Sequence, residues 1–370
     1  MSMIRFYMIG MLLLPVFLFG QTDSNSNEPT KMIRGQVVFQ SFSIEDVDDP
    51  ITELSLPVQI YWPVNAKLNV QLNHTPASSR YGAYQINAMS DTYLKANYLI
   101  LNDNGLIGVG LGLPTGPTEL ESDEFALTQI ISNQAFRFQL PVYGQGFTAN
   151  AGLGYAYEVN KKAVIGLGMH YIFRNKYQPV KNSVSDFDPG DQIGATLGVD
   201  FQINKTTKIS VDGLYTYYLP DKIRGREVFA AGAKINVSVS FIKNLEMMTI
   251  SGNATLRQKG KNELWTGTEL EPESKNSNGT QLDFDGFLRY AMNEQLGVLG
   301  FAVLRAYGEN DYKSGDAAVF GLGGGIDYAV SPQATVDAGI RAFFGRLGGG
   351  TAATGLNGFE FTLGFAYGFK

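Results

Sequence analysis

Two histidines, His74 and His170, and no cysteine leave this chain few ways to build a nucleophile or a transition-metal site. Neither histidine stands in an HExxH spacing, and no GxSxG elbow presents a serine. Hydrolysis would need a nucleophile and a base within hydrogen-bond reach, and the residues assemble no such pair, so an enzyme is the weakest reading. Two acidic clusters, Glu45-Asp46-Val47-Asp48-Asp49 and Asp186-Phe187-Asp188-Pro189-Gly190-Asp191, have the carboxylate density to attract Ca²⁺. Neither completes a Ca²⁺-loop pattern, and solvated turn chemistry explains both. Gly108-Val109-Gly110-Leu111-Gly112 has the look of a dinucleotide loop, but no βαβ unit follows it. No metal and no cofactor is called for.

The remaining charged side chains show a different regularity. His170, Arg174, Asp200, Asp212, Lys234, Arg257, Asp283, Asp285, Arg289, Asp327, Asp337, Arg341 and Glu360 each share a row with small polar residues, and the neighbouring positions are apolar. Between Gln192 and Gln202, for example, Ile193, Ala195, Leu197, Val199 and Phe201 alternate with Gln192, Gly194, Thr196, Gly198, Asp200 and Gln202. A period of two puts the rows on opposite faces of a strand. The unit recurs as hairpins around tight polar turns: Phe147–Val159 with Ala163–Arg174, Gly190–Ile203 with Thr207–Tyr217, Phe229–Phe241 with Leu245–Arg257, Gln281–Tyr290 with Leu296–Arg305, and Ala318–Tyr328 with Ala334–Phe344. Earlier, Thr92–Leu101 pairs with Leu106–Leu113, and Leu56–Trp62 with Lys67–Asn73 about Pro63. Long polar connections (Asn175–Pro189, Gln258–Gly279, Gly308–Asp316, Arg346–Gly355) alternate with the tight turns.

Strands of about 10 residues, with short turns on one side and long loops on the other, are the pattern of a bacterial outer-membrane barrel. A soluble sandwich shows shorter strands. The expected fold is all-β, an antiparallel up-and-down barrel of about 16 strands, with 12 or 14 also compatible because the stretch before Gly105 is irregular. In hydrocarbon a sheet survives only when closed, so the apolar rows face lipid. An Arg or Lys there would cost about 2–4 kcal/mol near the midplane, so the charged rows face the lumen. Similar numbers of both signs suggest a lattice of ion pairs. Tyr155, Tyr157, Phe201, Tyr290 and Tyr328 on the turn side, and Tyr171, Phe173, Tyr217 and Phe343 toward the loops, suit the aromatic girdles. The last strand, Phe359 to Phe369 with Lys370 after it, resembles the terminal strand read by the barrel-assembly machinery.

The rest of the chain agrees. Arg5, the apolar run Phe6–Phe19 and Gly20 form a signal peptide with cleavage near Gly20–Gln21. The domains expected are therefore the signal peptide over 1–20, a polar segment over 21–30 and the barrel over 31–370. No later apolar run is long enough for a helical span. With 43 Gly, 24 Phe, 19 Tyr, 17% charged residues and no Cys, stability must come from a large closed structure. A net charge of −6 without a basic tract argues against nucleic acid. The partners expected are membrane lipid and lipopolysaccharide, the assembly machinery and a small solute.

One segment does not fit a strand or a turn. Pro114 to Gly144 is too long for an ordinary connection, and Glu119–Asn133 has helical spacing at Leu120, Phe125, Leu127, Ile130 and Ile131. Such a segment either lies on the rim or folds inward as a constriction offering an apolar surface to a passing solute. Gly112-Leu113-Pro114-Thr115-Gly116, Pro141-Val142-Tyr143-Gly144-Gln145-Gly146-Phe147 and Asn150-Ala151-Gly152-Leu153-Gly154-Tyr155 flank or close it. These motifs resemble the outer-membrane proteins grouped under the phenol-degradation meta-pathway, related in architecture to the fatty-acid-transporter type of barrel. The resemblance runs from about Leu106 to Phe241 and implies uptake of hydrophobic or aromatic small molecules. The sequence thus points to passive uptake of small solutes through the barrel. The competing class is a filled barrel serving structure or surface interaction.

Overall fold

The structure, a computed structural model, describes residues 30–182, 186–348 and 353–369. The signal peptide and positions 21–29 of the polar segment lie outside these residues. Nineteen hydrogen-bonded segments close into one antiparallel barrel. They make sixteen staves because three of the strands are interrupted.

In chain order the staves are β1 (Lys31–Ile44), β2 (Ile51–Ser55 and Val58–Pro63), β3 (Leu68–His74 and Pro76–Tyr81), β4 (Tyr84–Met89 and Thr92–Ile100) and β5 (Gly105–Leu113). Then follow β6 (Thr148–Asn160), β7 (Ala163–Arg174), β8 (Gln192–Asn204), β9 (Thr207–Tyr218), β10 (Lys234–Asn244) and β11 (Met248–Lys259). The last five are β12 (Gln281–Ala291), β13 (Leu296–Tyr307), β14 (Ala317–Ser331), β15 (Ala334–Leu347) and β16 (Thr354–Phe369). Each pairs with its neighbour in sequence, and β16 returns to β1 in an unbroken register from Lys31↔Phe369 to Ile44↔Leu356. Closure leaves no sheet edge in the membrane.

The period-two reading survives in the side chains. Phe359, Phe361, Leu363, Phe365 and Tyr367 point outward and are exposed, while Glu360 between them is buried inside. Leu197 is 55% exposed on the outer face of β8, and Asp200 is 4% exposed within. The chain is an outer-membrane β-barrel.

Two expectations are corrected. Phe343 is no girdle residue: it is fully buried inside the barrel, and its neighbour Phe344 takes the outward place. Phe343 shares the row of Arg341, so strand parity sends it inward whatever its side chain. The strand expected to begin at Phe229 begins at Lys234 instead. Arg226–Ala230 belongs to a five-stranded sheet built from the long loops, with Phe187–Asp188, Asp221–Ile223, Glu263–Trp265 and Leu270–Pro272. Arg226 lies over the Trp265 ring at 5.4 Å there, a contact with no place in lipid.

The interruptions in β2, β3 and β4 explain the irregular start of the chain. Pro57, Pro76 and the Ser90-Asp91 step fall side by side. Proline supplies no ladder donor, so the gap is closed by other bonds: Gln36 N donates to Pro57 O at 3.0 Å, and Leu56 N to Pro76 O at 2.8 Å.

Candidate functional site

The segment from Pro114 to Gly144 folds into the barrel. Its helix, α1 (Ser122–Ile131), starts with two carboxylates in the first turn, Asp123 and Glu124, where the helix dipole favours negative charge. Glu121 N donates to Glu124 Oε2 at 2.9 Å and fixes the first turn. Leu127 and Ile131, one turn apart, face the same way and are fully buried. They meet not one another's helix face but the inner wall of the barrel.

That wall supplies a hydrophobic core inside the bore: Phe42, Ile51, Ala77, Ile86, Val303, Val319, Phe343 and Leu356 pack against Leu127, Ile131, Phe136, Phe138 and Leu140 of the segment. Phe42 stands at its centre, with ring centroids 5.4 Å from Phe136, Phe138 and Phe343. Aromatic contacts of this kind add about 0.5–1.5 kcal/mol each beyond their buried area. The ring fits because position 358 is glycine: a Cβ there would lie 2.4 Å from Phe42.

Polar groups of the same wall hold the segment's backbone. The Arg305 guanidinium donates to the carbonyls of Ala135 at 2.8 Å and Phe136 at 2.7 Å. Glu53 accepts from Leu140 N at 2.9 Å and from the Ser79 hydroxyl at 3.0 Å. The Gln40 amide accepts from Gln139 N and donates to Arg137 O and to Glu360, at 3.0, 3.3 and 3.0 Å. Arg137 itself adopts a left-handed φ of +50°, a conformation costing a non-glycine residue about 1–2 kcal/mol. The turn buries Phe136 and Phe138 on either side while the Arg137 guanidinium reaches Asp285 at 3.4 Å. Tyr143 is buried with its hydroxyl 2.9 Å from that of Ser79. Burial pushes the Tyr143 hydroxyl well above its ordinary range, so it stays neutral.

The two ends of the segment touch. A Cβ at Gly144 would lie 2.2 Å from Pro117 O, and one at Gly116 would lie 3.0 Å from Gly144 Cα. Only glycines let the backbones pass so closely. Both legs hang from one carboxylate: Asp91 accepts from Gly116 N at 3.1 Å and from Gln145 N at 2.7 Å.

The other face of the helix is open. Leu120, Phe125, Thr128, Gln129, Val142, Tyr177 and Pro179 line a cleft of about 180 Å³ between the segment and the loop that follows β7. Of the five apolar residues singled out in the sequence, Leu127 and Ile131 go to the wall, Ile130 packs at the margin of the core, and Leu120 and Phe125 go to the cleft.

The charged residues expected in the lumen stand on inward rows, and most are joined in pairs. Arg257 meets Asp283 at 2.8 Å and Arg341 meets Glu360 at 3.2 Å. Arg289 grips Asp327 with two bonds of 2.9 and 2.7 Å. Lys208 neutralises Asp200 at 2.9 Å, and Asp337 faces Arg34 at 3.8 Å. Arg174 caps the Gly190 carbonyl and lies 3.9 Å from Asp221. His170, Asp212 and Lys234 are half-buried on the inward rows of β7, β9 and β10. His74 shares a hydrogen bond of 2.9 Å with the Thr92 hydroxyl.

Sequence reasoning missed Gln40, Glu53, Asp91 and Arg305. Glu53 and Asp91 lie on the interrupted strands, and Gln40 on β1, which precedes the readable alternation. Arg305 closes the strand expected over Leu296–Arg305, and in the structure it continues the inward row of Phe301 and Val303.

Residues 233–346 match the family described as "Putative MetA-pathway of phenol degradation". This is the family whose likeness the sequence motifs carry, but the matched stretch is the C-terminal third, overlapping the motif-bearing middle only over 233–241. No curated protein sequence matches the chain. OmpT, an outer membrane protein of Vibrio cholerae, is 13% identical with a TM-score of 0.44, covering 94% of this chain and 100% of that one. An outer membrane channel from Pseudomonas putida F1 is 10% identical with a TM-score of 0.39, covering 95% and 100%. A mutant porin of Rh. blastica is 14% identical with a TM-score of 0.39, covering 92% and 100%. None of these likenesses says what passes through this barrel.

Proposed function

We propose that this outer-membrane barrel is a passive channel for small solutes, whose path runs between the inward-folded segment and the inner wall of β5 to β11. The observation that carries the reading is the contrast in burial inside the bore. On the segment's side Gln40, Glu53, Ser79, Phe42 and Val319 are at most 1% exposed. On the far side Lys95 of neighbouring β4, with Asn150, His170, Thr196, Asp212, Ser238 and Asn253, keeps part of its surface open to water. Solvent therefore reaches much of the inner face of that half, around a buried patch at Asp200, Ser210 and Thr216. The apolar cleft at Phe125 and Tyr177 supports the finer reading, uptake of hydrophobic or aromatic solutes, because its volume suits a single small ring. Enzymatic activity is no part of the proposal. The tight core between segment and wall favours the rival reading of a filled, non-conducting barrel.

The touching glycines give a clean test. Residues 117–143 can be removed and Gly116 joined to Gly144 through two glycines without touching a strand. The variant should assemble, judged by heat-modifiable gel mobility, and its single-channel conductance in planar bilayers should rise several-fold. Discrimination between apolar and polar solutes should fall with it. Unchanged conductance would remove the segment from the path. Silence in both proteins would favour the filled barrel.

A further inference from the structure

On the inner wall of β4 to β11 most arginines and Asp200 stand in ion pairs, whereas, among the described residues, three inward lysines do not. From this we infer that unpaired lysines make the open half of the bore an anion path, with Lys234 and Lys259 forming a subsite for a small carboxylate or other oxyanion at its outer mouth. The inference rests on the channel reading above and adds a charge class to it.

Lys234 on β10 and Lys259 on β11 are direct register partners. Both stand on inward rows, opposite the outward Ile235 and Leu256, and both are half-buried. Like charges directly opposite destabilise a sheet, and only the more distant Glu273 and Asp221 act against the repulsion at Lys259. Among the described residues no carboxylate lies within 4.0 Å of either ammonium. The ring of Tyr218 lies beside Lys234, at 5.8 Å.

The acids in the neighbourhood are committed elsewhere. Asp221 accepts from Gly190 N at 2.7 Å and faces Arg174 at 3.9 Å. Glu273 accepts from Asn262 N at 2.8 Å and Ser277 N at 3.1 Å. Two residues before Lys259 on the same row, Arg257 has its own partner, Asp283, at 2.8 Å. The sheet thus provides an acid for the arginine and none for the lysines. An anion between the two ammonium groups would relieve their repulsion and complete their hydrogen bonds.

Deeper in the bore the pattern continues. Lys95, on the inward row of β4 between Gln71 and Gly110, also has no carboxylate within 4.0 Å among the described residues. Against these three lysines the same half of the wall sets Asp212, and Glu158 near the turn end of β6, while Asp200 is neutralised by Lys208. Basic side chains lining a pore favour anions.

The test uses the full-length barrel in planar bilayers under a salt gradient. The wild type should show a reversal potential on the anion side. Lys234→Gln with Lys259→Gln should move it toward zero, and Lys95→Gln should move it by a smaller step. Cation preference in the wild type, or no shift in the double variant, would overturn the inference while leaving a conducting channel intact. A second readout does not depend on conduction. In detergent, acylation of Lys234 and Lys259, followed by mass spectrometry, should be slowed by benzoate and not by benzyl alcohol. If the barrel is silent but benzoate protects, the subsite stands and the channel reading fails. Equal labelling with both compounds eliminates the subsite.

Discussion

The two halves of the barrel wall are built to the same outer plan and to opposite inner ones. The arc from β13 through β16 and β1 to β4 turns Phe42, Ile51, Val303, Val319, Phe343 and Leu356 inward and covers them with the folded-in segment. The arc from β5 to β11 turns inward mainly glycine, serine, threonine, asparagine and charges, many of them half-exposed and wet around a buried few such as Asp200 and Ser210. Outside, both present the same apolar row to lipid. The first arc behaves as two packed layers, a core in the ordinary sense. The second is a single layer between two solvents, stabilised by its ladder bonds, the lipid and inner-face pairs such as Lys208 with Asp200. The difference shows that a barrel's inner face need not be uniform: half can anchor a constriction while half defines a path.

The largest expected effect tests whether the wet arc is a single layer. Leu197→Arg places a guanidinium on its lipid side and should cost about 2–4 kcal/mol if near the midplane, enough to impair assembly. Thr196→Arg, on the inner row beside it, should assemble normally. Equal damage, judged by heat-modifiable mobility, would erase the distinction between the faces. Next is Arg305→Ala on the packed arc. It leaves the carbonyls of Ala135 and Phe136 buried without a donor, at a cost of about 2–4 kcal/mol. The control on the wet arc, Thr196→Ala, should stay within about 0.5 kcal/mol. Urea unfolding in detergent reads both, and equal costs would mean that the packed arc is no core. The smallest effect is that of Asp91→Asn. An amide accepts from one of the two N–H groups at the segment's base and turns a donor toward the other, a loss of about 1 kcal/mol. Folding should survive, with faster proteolysis between Pro117 and Val142 as the measurable sign.

How much of this was legible follows the same division. From β5 onward, alternation with tight turns located nearly every stave, because one side of each strand is lipid and the other polar, and the two rows differ in kind. On the packed arc the inward row mixes large apolar residues such as Phe42, Val303 and Phe343 with polar ones such as Gln40 and Arg305. There residue type misleads and only parity informs, as Phe343 and Phe344 show. Over β2 to β4 the interruptions at Pro57, Pro76 and Ser90-Asp91 break the alternation, so Glu53 and Asp91 carried no readable position. The helix in the inserted segment was visible in its spacing. Which of its residues face the wall was not, because the wall is assembled from strands at both ends of the chain.

Gln40 has a consequence for biogenesis. Its side chain bonds Glu360 across the junction of the first and last strands, and the same amide holds Gln139 and Arg137 of the segment. The socket for the segment draws Phe42 and Gln40 from β1, and Phe343 and Leu356 from the two final strands. While the chain is being inserted those partners belong to opposite edges of an unfinished sheet, so the segment has only the part of its socket that β1 to β4 supply. Its complete socket exists only once the first and last strands have met, which ties the final seating of the segment to closure of the cylinder.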